Sequence, residues 1–384
     1  MKHIIISVIN DLVTDQRVHR MASTLSRQGF DVKLVGRYLP GSLPVSGHDF
    51  RYRRFRMAFR KGPLFYACYN VRLFLYLLFG RRPDLLISVD LDTLPAGYMV
   101  SRLRRVPLLF DSHEYFTEVP ELVGRERTKR FWEKIEGRIL PRVAHAMAVS
   151  DSIAAAYHEK YGTPFVTVRN VPMTARTEQY PEFHESYHAT YKIIYQGALN
   201  LGRGIGLMIE AMEWMQDTLL FIVGDGDIRK ELQQFARQMK LNDRVVFLGK
   251  VPPDKLVQIT GQCDLGLSLE EDLGLNYRYA LPNKLFDYIQ AGIPVLCSDL
   301  PEMAALVKRY RVGEISISRE PRKLAAQVRG MLHDETARKQ WKKNLAKAAL
   351  ELNWEREENK FLELVSTAME CKSGHYGDDR SETG

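Results

Sequence analysis

The sequence predicts an α/β protein with two doubly wound domains, each built on a parallel sheet. Apolar strand-like runs alternate with amphipathic helical stretches along the chain, an order that is typical of βαβ units. The alternation stops once, over residues 171–190, and then begins again. The length of 384 residues is enough for two domains of ordinary size.

The first domain is expected over residues 1–170. Its first strand, HIIISVI, is apolar throughout, as in a parallel sheet that is covered on both faces. A helix is predicted to follow, because Val18, Met21 and Leu25 repeat at helical spacing and Gly29 ends the pattern. Further strands are predicted in DVKLVGR, DLLISVD, PLLFDSHE and AHAMAVS, with helices near 61–79, 92–104, 125–141 and 151–160.

A second domain is expected over residues 191–352, after a linker at 171–190 that is polar, contains prolines and lacks apolar periodicity. Its predicted strands are YKIIYQG, TLLFIVG, VVFLG, DLGLSL and IPVLCS. Its predicted helices lie near 205–214, 227–239, 253–260, 282–291, 300–308 and 320–350. A last helix, within 353–371, is expected to pack back towards the first domain, and 372–384 to be disordered.

The composition excludes several classes of protein. A hydrophobic fraction of 45% and a charged fraction of 27% are typical of a soluble globular protein. The cysteines Cys68, Cys263, Cys297 and Cys371 form no Cys-x-x-Cys pair, so neither a zinc site nor a redox motif is indicated. We recognise no signal peptide and no run of roughly 18 apolar residues that would span a bilayer. We therefore expect a cytoplasmic protein.

The net charge of +8 is unevenly distributed, because the segment Arg51–Pro83 contains no carboxylate. Its basic residues, interleaved with aromatic and aliphatic ones, are Arg51, Arg53, Arg54, Arg56, Arg60, Lys61, Arg72, Arg81 and Arg82. Such a surface attracts anionic membrane or nucleic acid, and a solvated basic face above a core helix is the alternative. No nucleic-acid recognition module accompanies the segment, so we expect peripheral contact with an anionic membrane and no nucleic-acid partner.

The stretch RYALPNKLFDYIQAGIPVLCS predicts a helix that begins at Pro282 and leads into a strand. Asn283 and Asp287 are four residues apart and share a face of this helix. Lys284 lies at the positive end of the helix dipole, where a cation costs about 0.3–1 kcal/mol. An anion such as a phosphate on the exposed amides offsets that cost. The alternative interpretation is that Asn283 caps the helix while Lys284 and Asp287 form a surface pair.

Other loops of the second domain also carry glycine or charge where a strand ends. YQGALNLGRGIGLMIEAM combines glycines, which allow close backbone approach, with Arg203, which can bind a phosphate through two hydrogen bonds. Its spacing is not Gly-x-Gly-x-x-Gly, and no Walker lysine follows, so neither a dinucleotide fingerprint nor a P-loop is present. The glycines of this stretch that allow close approach are Gly197, Gly202, Gly204 and Gly206, and the next strand ends in Gly-Asp-Gly, at Gly224, Asp225 and Gly226.

In the first domain the strand LLFDSHEYF ends with Asp111, His113 and Glu114. A histidine at the carboxyl end of a strand is a reasonable active-site candidate in an α/β fold. A zinc-protease His-Glu-x-x-His motif is excluded, since Phe116 and Thr117 follow the glutamate.

Taken together, these segments resemble the family 4 retaining glycosyltransferases, in the variant with a PNKLFEY-like motif, over nearly the whole chain. Four segments of the second domain are similar to the family's nucleotide-sugar site: GALNLGRG, GDGDIRKEL, VVFLGKVP and LPNKLFDYIQAGIPV. The stretch DSHEYF is similar to its His-Asp or His-Glu turn. The resemblance implies a GT-B fold, in which two Rossmann-like domains face each other across a cleft. The first domain would take the acceptor and the second the nucleotide-sugar.

The resemblance also implies residue roles. His113 would orient the donor sugar, Glu114 would contact donor or acceptor, and Arg203 with Lys284 would bind the diphosphate. Asp287 matches the acid that binds the donor ribose. The implied catalytic residues are His113, Glu114, Arg203 and Lys284, and the implied donor-binding residues are Gly197, Gly204, Gly224, Asp225, Gly226, Leu248, Asn283 and Asp287.

Two departures from the family pattern stand out. The first acid of the family's Glu-x7-Glu motif would fall at Tyr279, so it is missing. The Arg and Lys of the family's G-R-L-x-x-x-K-G loop become Ala198 and Arg203, and Lys284 is the candidate for the second cation.

The implied function is transfer of a hexose from a nucleotide-sugar to a glycan or lipid-linked acceptor in cell-envelope polysaccharide biosynthesis. The family retains the anomeric configuration and needs neither a metal nor a cofactor. A nucleotide-sugar epimerase or hydrolase of the same fold is one alternative, and a non-catalytic partner subunit is another. The absent dinucleotide fingerprint disfavours an NAD enzyme.

Overall fold

The computed structural model describes residues 1–13, 15–39, 42, 49–119, 122, 124–174 and 189–370. The chain divides into two units: the first is Met1–Arg169 with the chain from Glu357 onward, and the second is Asn170–Arg356. Most of the predicted linker at 171–190, the predicted tail at 372–384 and Cys371 lie outside the described residues.

The first unit contains a parallel sheet. Its strands are β1 (His3–Asp11), β2 (Asp31–Tyr38), β3 (Arg51–Arg56), β4 (Leu85–Val89), β5 (Leu108–Ser112), β6 (His145–Ala148) and β7 (Phe165–Thr167). Among the described residues the strand order is β3-β2-β1-β4-β5-β6-β7, with every neighbouring pair parallel. The central strands are apolar and buried on both sides, as a sheet between two layers of helices requires.

Five helices of the first unit connect these strands in the described part of the chain. They are α1 (Gln16–Arg27), α2 (Pro63–Phe79), α3 (Leu94–Arg104), α4 (Glu126–Ile139) and α5 (Asp151–Tyr161). Side chains cap two of them: Asp15 accepts a hydrogen bond from the Val18 amide, and Ser150 accepts one from the Ile153 amide.

The sequence analysis missed strands β3 and β7. In β3, RYRRFR, only Phe55 is buried, so the strand lacks the apolar pattern on which the prediction relied. The strand lies at the edge of the sheet and pairs only with β2 among the described residues. Charged side chains are common on edge strands because they prevent pairing with another chain.

The second unit repeats the architecture. Its strands are β8 (Tyr191–Gln196), β9 (Thr218–Val223), β10 (Val245–Gly249), β11 (Leu265–Ser268), β12 (Val295–Cys297) and β13 (Gly313–Ile315). They form a parallel sheet in the order β10-β9-β8-β11-β12-β13 within the described residues. The prediction of two doubly wound domains with parallel sheets is confirmed.

The helices of the second unit differ from the predictions at three places, and strand β13 was missed as well. They are α6 (Ile205–Ala211), α7 (Arg229–Gln238), α8 (Pro253–Gly261), α9 (Leu275–Arg278), α10 (Asn283–Ala291), α11 (Pro301–Tyr310), α12 (Pro321–His333) and α13 (Glu335–Glu351). The single helix expected near 320–350 is wrong, because Asp334 leaves the helical conformation and caps α13 through the Ala337 amide. Pro282 precedes α10 as its N-cap instead of opening it. The short helix α9 was not predicted.

The last helix, α14 (Trp354–Glu370), begins in the second unit and continues into the first. Within the first unit Glu358 accepts hydrogen bonds from Thr24 and Arg27 of α1, at 2.8 and 2.7 Å. Phe361 and Val365 are buried. No helix among the described residues is long and apolar enough to cross a membrane.

Candidate active site

The first turn of α10 contains a buried lysine. The side chain of Lys284 is only 7% exposed, and its Nζ lies 2.6 Å from Oε1 of Glu270, just beyond β11. The same Nζ lies 4.2 Å from the centre of the Tyr195 ring. The alternative interpretation of Lys284 as a member of a surface pair with Asp287 is therefore wrong.

Glu270 is the centre of this cluster, and the sequence analysis did not identify it. It is fully buried, and its Oε2 accepts a hydrogen bond from the hydroxyl of Ser268 at 2.7 Å. A guanidinium nitrogen of Arg203 lies 3.8 Å from Oε1, and the guanidinium lies over the ring of Tyr277. Arg203 and Lys284, which the sequence placed in two separate loops, therefore share one buried carboxylate.

The electrostatics of the cluster keep the carboxylate charged. Burial raises the pKa of Glu270, but the charges of Lys284 and Arg203 outweigh it and leave the pKa below its usual range. Burial lowers the pKa of Lys284, although Glu270 opposes that effect. The Nε of Arg203 is buried and has no hydrogen-bond partner among the described residues. A buried donor without a partner destabilises a site until an acceptor reaches it.

Asp287 lies one turn further along α10. Its Oδ2 accepts a hydrogen bond of 2.8 Å from the side-chain amide of Gln196, whose carbonyl oxygen accepts one from Thr260. These bonds fix the carboxylate at the end of β8. Asn283, by contrast, is exposed, and no side chain caps the helix.

The glycine loops of the second unit pack directly against one another. Gly224 follows β9 with a φ of 135°, and a Cβ there would lie 1.9 Å from the carbonyl oxygen of Gly197. Gly204 has a φ of 69°, and a Cβ there would lie 2.1 Å from the carbonyl oxygen of Leu269. Only glycine fits at these two positions, so the backbones of neighbouring loops lie in direct contact at the carboxyl edge of the sheet.

The remaining candidates of the second unit lie along the same edge. Gly226 donates its amide hydrogen to Asp225, which also lies 3.6 Å from the guanidinium of Arg229. Leu248 is half-buried near the end of β10.

The first unit holds a second buried ion network, centred on Asp111 at the end of β5. Asp111 is fully buried and accepts two hydrogen bonds from Arg17 of α1, at 2.8 and 3.0 Å. Its Oδ2 also lies 2.8 Å from Nε2 of His113. Arg17 donates a further hydrogen bond to the carbonyl of Val168. Arg17 and Asp111 therefore hold His113 in place.

Two more carboxylates complete this network, and the sequence analysis missed both. Asp90 follows β4 with a φ of 57°, accepts a hydrogen bond from the His113 amide at 2.8 Å, and approaches the imidazole Nδ1 at 4.0 Å. Asp92 is buried, and its Oδ1 has no hydrogen-bond partner among the described residues. His113 was selected because it follows a predicted strand. Asp90 and Asp92 also follow a strand, so the same rule would have selected them.

The pKa shifts in the first unit favour a protonated histidine. Burial lowers the pKa of His113, but the charges of Asp111 and Asp90 outweigh it and raise the pKa to about 9. Burial favours the neutral form of Asp111, yet Arg17 and His113 hold its pKa well below the usual range. Burial raises the pKa of Asp90 to about 6, against the opposing charge of His113. Burial, and then the charge of Asp90, raises the pKa of Asp92.

Glu114 is exposed, and its backbone carbonyl accepts a hydrogen bond from the Ser112 hydroxyl at 2.7 Å. Within the described residues no group of three or more His, Cys, Asp or Glu side chains could hold a metal ion.

Comparison with known proteins finds a matching domain family for each unit. The glycosyl transferases group 1 family matches residues 176–348, and the glycosyl transferase 4-like domain matches residues 14–174. Each unit is therefore similar to a domain that occurs in glycosyltransferases. An uncharacterized glycosyltransferase of Methanocaldococcus jannaschii is 26% identical over 184 residues, which span 46% of this chain and 45% of that relative.

Solved structures show the same fold. Sucrose-phosphate synthase from Thermosynechococcus elongatus matches with a TM-score of 0.77 at 17% identity, over 96% of this chain and 99% of that one. Anabaena HepE in complex with UDP-glucose matches with a TM-score of 0.71 at 16% identity, over 96% of this chain and 100% of that one. At these identities the likeness shows the fold, which is GT-B.

Proposed function

We propose that the protein transfers a hexose from a nucleotide-sugar to a glycan or lipid-linked acceptor in cell-envelope polysaccharide synthesis, with retention of the anomeric configuration. The observation that carries the proposal is the cluster of Lys284, Arg203 and Glu270 at the mouth of α10. It lies in the domain that matches the group 1 glycosyl transferases. HepE, which shares the fold, binds UDP-glucose, and this supports a nucleotide-sugar as the class of donor.

In this proposal Arg203 and Lys284 bind the donor diphosphate at the amino end of α10. The exposed amides of a helix N-terminus favour an anion, and the Nε of Arg203 still lacks an acceptor. Negative charge grows on the terminal phosphate as the sugar leaves, and a fixed donor aimed at such charge contributes about 3–4 kcal/mol to lowering the barrier. Glu270 keeps both cations in position before the donor arrives.

The other proposed contacts to the donor lie along the carboxyl edge of the sheet of the second unit. Asp287, fixed by Gln196, would accept hydrogen bonds from the donor ribose. Backbone and side chains of the neighbouring loops would surround the nucleotide-sugar, and these donor-binding residues are Gly197, Gly204, Gly224, Asp225, Gly226, Leu248 and Asn283.

For the first unit we propose that His113 orients the donor sugar and that Glu114 contacts donor or acceptor, the roles that the family resemblance implies. A histidine whose pKa is about 9 carries a proton at neutral pH, so His113 would donate hydrogen bonds and would not act as a base. The departing phosphate would then help to deprotonate the acceptor hydroxyl.

The reaction test uses a panel of nucleotide-sugars, with and without lipid-linked or glycan acceptors. A transferase gives a glycosylated product only when an acceptor is present, and the anomeric coupling constant of that product reports retention. Loss of activity in EDTA would contradict metal independence. Sugar conversion without an acceptor would indicate an epimerase or hydrolase, and absence of nucleotide binding would indicate a partner subunit.

We further propose that the first unit contacts an anionic membrane at the inner face of the cell membrane. One side of α2 exposes apolar residues along a helix that is about 25 Å long. The exposed apolar residues of this side are Leu64, Val71, Leu75 and Phe79. Exposed Arg60 and Lys61 precede the helix and Arg82 follows it. An exposed apolar helix side of this kind would enter the headgroup region of a membrane, where each nearby cation contributes roughly 1 kcal/mol.

Liposome flotation tests this contact. The protein is expected to float with anionic vesicles at low salt and to be released at high salt. Replacing Leu75 and Phe79 by Glu should abolish flotation, whereas Leu350→Glu, at an equally exposed leucine of α13, should not. A wild-type protein that stays in solution with anionic vesicles at low salt would make a soluble acceptor the better proposal.

A further inference from the structure

A cavity of about 300 Å³ lies in the first unit at the carboxyl ends of β2 and β3, beside the start of α2. Its walls are both cationic and aromatic. The lining residues that matter here are Arg37, Arg56, Arg60, Tyr38, Phe59 and Phe65. We call it the arginine cavity. The carboxyl ends of parallel strands are the edge at which α/β sheets bind ligands.

The three arginines of the cavity have no anionic partner in the part of the chain that the structure describes. Among the described residues no carboxylate lies within 4.0 Å of Arg37, Arg56 or Arg60, and none lines the cavity. The charge of Arg37 lowers the pKa of Asp92, but the two side chains lie more than 4.0 Å apart. The Nε of Arg37 is buried without a hydrogen-bond partner in the described part of the chain.

Aromatic rings hold two of these guanidinium groups in place. Arg37 lies over the ring of Phe65 at 5.0 Å, and Arg56 lies over the ring of Tyr38 at 5.3 Å. Stacking restricts the guanidinium planes before any ligand binds, which reduces the entropy cost of binding. The exposed ring of Phe59 offers an apolar contact at the mouth of the cavity.

The opposite end of the same two strands gives an internal contrast. There Asp31 forms ion pairs with both Arg51 and Arg81. His3 also approaches Asp31, at 3.3 Å. At the amino end of β2 and β3 both arginines are thus paired with Asp31. At the carboxyl end Asp11 pairs with Arg54 at 3.8 Å, which leaves Arg37, Arg56 and Arg60 without a carboxylate within 4.0 Å in the described part of the chain.

We propose that the arginine cavity binds the phosphate of an acceptor, either a phosphate monoester or a diphosphate. Planar guanidinium groups bind phosphate oxygens through paired, charge-assisted hydrogen bonds, so three converging arginines suit this group. The assignment of the ligand to the acceptor rests on the function proposed above; the phosphate chemistry rests on the cavity alone. The phosphate is carried by a soluble sugar phosphate or by a lipid.

The experiment measures binding of two phosphate sources to the full-length protein. Glycerol 3-phosphate, titrated by calorimetry, represents a soluble monoester. Vesicles containing phosphatidic acid represent a lipid monoester, with phosphatidylserine vesicles of equal surface potential as the comparison. The tested variant carries Arg56→Gln and Arg60→Gln, and the matched control carries Arg53→Gln, an exposed arginine of the same strand outside the cavity.

We expect glycerol 3-phosphate or the phosphatidic acid vesicles, or both, to bind wild type and the Arg53→Gln control with equal affinity. The same ligand should bind the Arg56→Gln/Arg60→Gln variant at least tenfold more weakly. Binding should also persist in Arg203→Ala, which separates the cavity from the diphosphate site of the second unit. Preference for glycerol 3-phosphate or for phosphatidic acid identifies the source. Equal binding to the double variant, or no binding of either source to folded wild type, overturns the proposal.

Nucleoside diphosphate affinity distinguishes failure of this inference from failure of the proposed function. The Arg56→Gln/Arg60→Gln variant should keep the wild-type affinity for a nucleoside diphosphate. If wild type binds glycerol 3-phosphate at the cavity but no nucleoside diphosphate, the proposed function fails and the phosphate site stands.

Discussion

The two units place buried ion networks of opposite composition at corresponding edges of their sheets. In the second unit two cations, Lys284 and Arg203, share one fully buried carboxylate, Glu270. In the first unit the carboxylates of Asp111 and Asp90 surround one histidine, with Arg17 as a second cation. The first unit adds Asp92, which is buried beside Asp90.

The difference indicates what each network is built to do. A cluster with two cations and a helix N-terminus favours an incoming anion. A cluster rich in carboxylates instead keeps a histidine protonated and fixes its orientation, as the raised pKa of His113 indicates. In the function proposed above, similar folds thus use opposite charge patterns, one to bind the donor diphosphate and one to hold a side chain.

The largest expected effect comes from breaking the buried pair of the second unit. Lys284→Met should lower the free energy of unfolding by about 3–5 kcal/mol, because it leaves Glu270 as a buried carboxylate without its main partner. Denaturant unfolding measures the change, with Lys308→Met, an exposed lysine of α11, as the control. Adding Glu270→Gln to Lys284→Met should restore part of the loss, and an additive loss would contradict the pairing.

Arg203→Ala tests the cation that has an unsatisfied donor. Turnover should fall by about tenfold to a thousandfold, which is the range expected when an enzyme loses one fixed charge that stabilises the leaving group. Stability should change little, since Arg203 lies 3.8 Å from Glu270 and is partly exposed. Steady-state kinetics with the nucleotide-sugar found by the panel measure the effect. Normal turnover in both Arg203→Ala and Lys284→Ala would remove these residues from the diphosphate site.

The protonated histidine of the first unit predicts a pH dependence of stability. The pKa of His113 is raised from 6.5 to about 9, so its stabilising contribution is fully present below pH 6.5 and is lost as the pH rises through 9. At 1.36 kcal/mol per unit the contribution is on the order of 3 kcal/mol. The difference in unfolding free energy between wild type and His113→Asn should shrink from pH 6 to pH 10. A pH-independent difference, or an NMR pKa near 6.5, would contradict the network.

Asp287 gives the smallest predicted effect. Asp287→Asn keeps the shape of the side chain but removes the charge-assisted hydrogen bond to the donor ribose, at a cost of about 1–3 kcal/mol in nucleotide affinity. Calorimetry with the nucleoside diphosphate measures it. An unchanged affinity for the nucleoside diphosphate would mean that Asp287 does not contact the ligand and only accepts the hydrogen bond from Gln196.

The sequence predicted the fold well because its evidence is local. Buried strands such as HIIISVI and periodic helices are visible in a short window of residues. The edge strand β3 was missed because its arginines conceal the pattern, and Asp334 interrupts a stretch that reads as one helix.

The candidate sites could be predicted only in part, because partners distant in the chain complete them. Lys284 was singled out from its place in α10, but its partner Glu270 belongs to the end of another strand. The family spacing places the first acid at Tyr279, where this chain has none, and no sequence rule indicates that Glu270 is buried beside Lys284. Arg17 and Asp111 are 94 residues apart, and only the fold brings them together.

Titration with nucleoside diphosphates tests the central claim most directly. Calorimetry with UDP, GDP and ADP should show binding of at least one to wild type and to the control Arg237→Ala, an exposed arginine of α7. The same ligand should bind Arg203→Ala at least tenfold more weakly, because a charge-assisted bond to phosphate is lost. Binding of equal affinity to Arg203→Ala, or no binding of any of the three to wild type, would contradict the account.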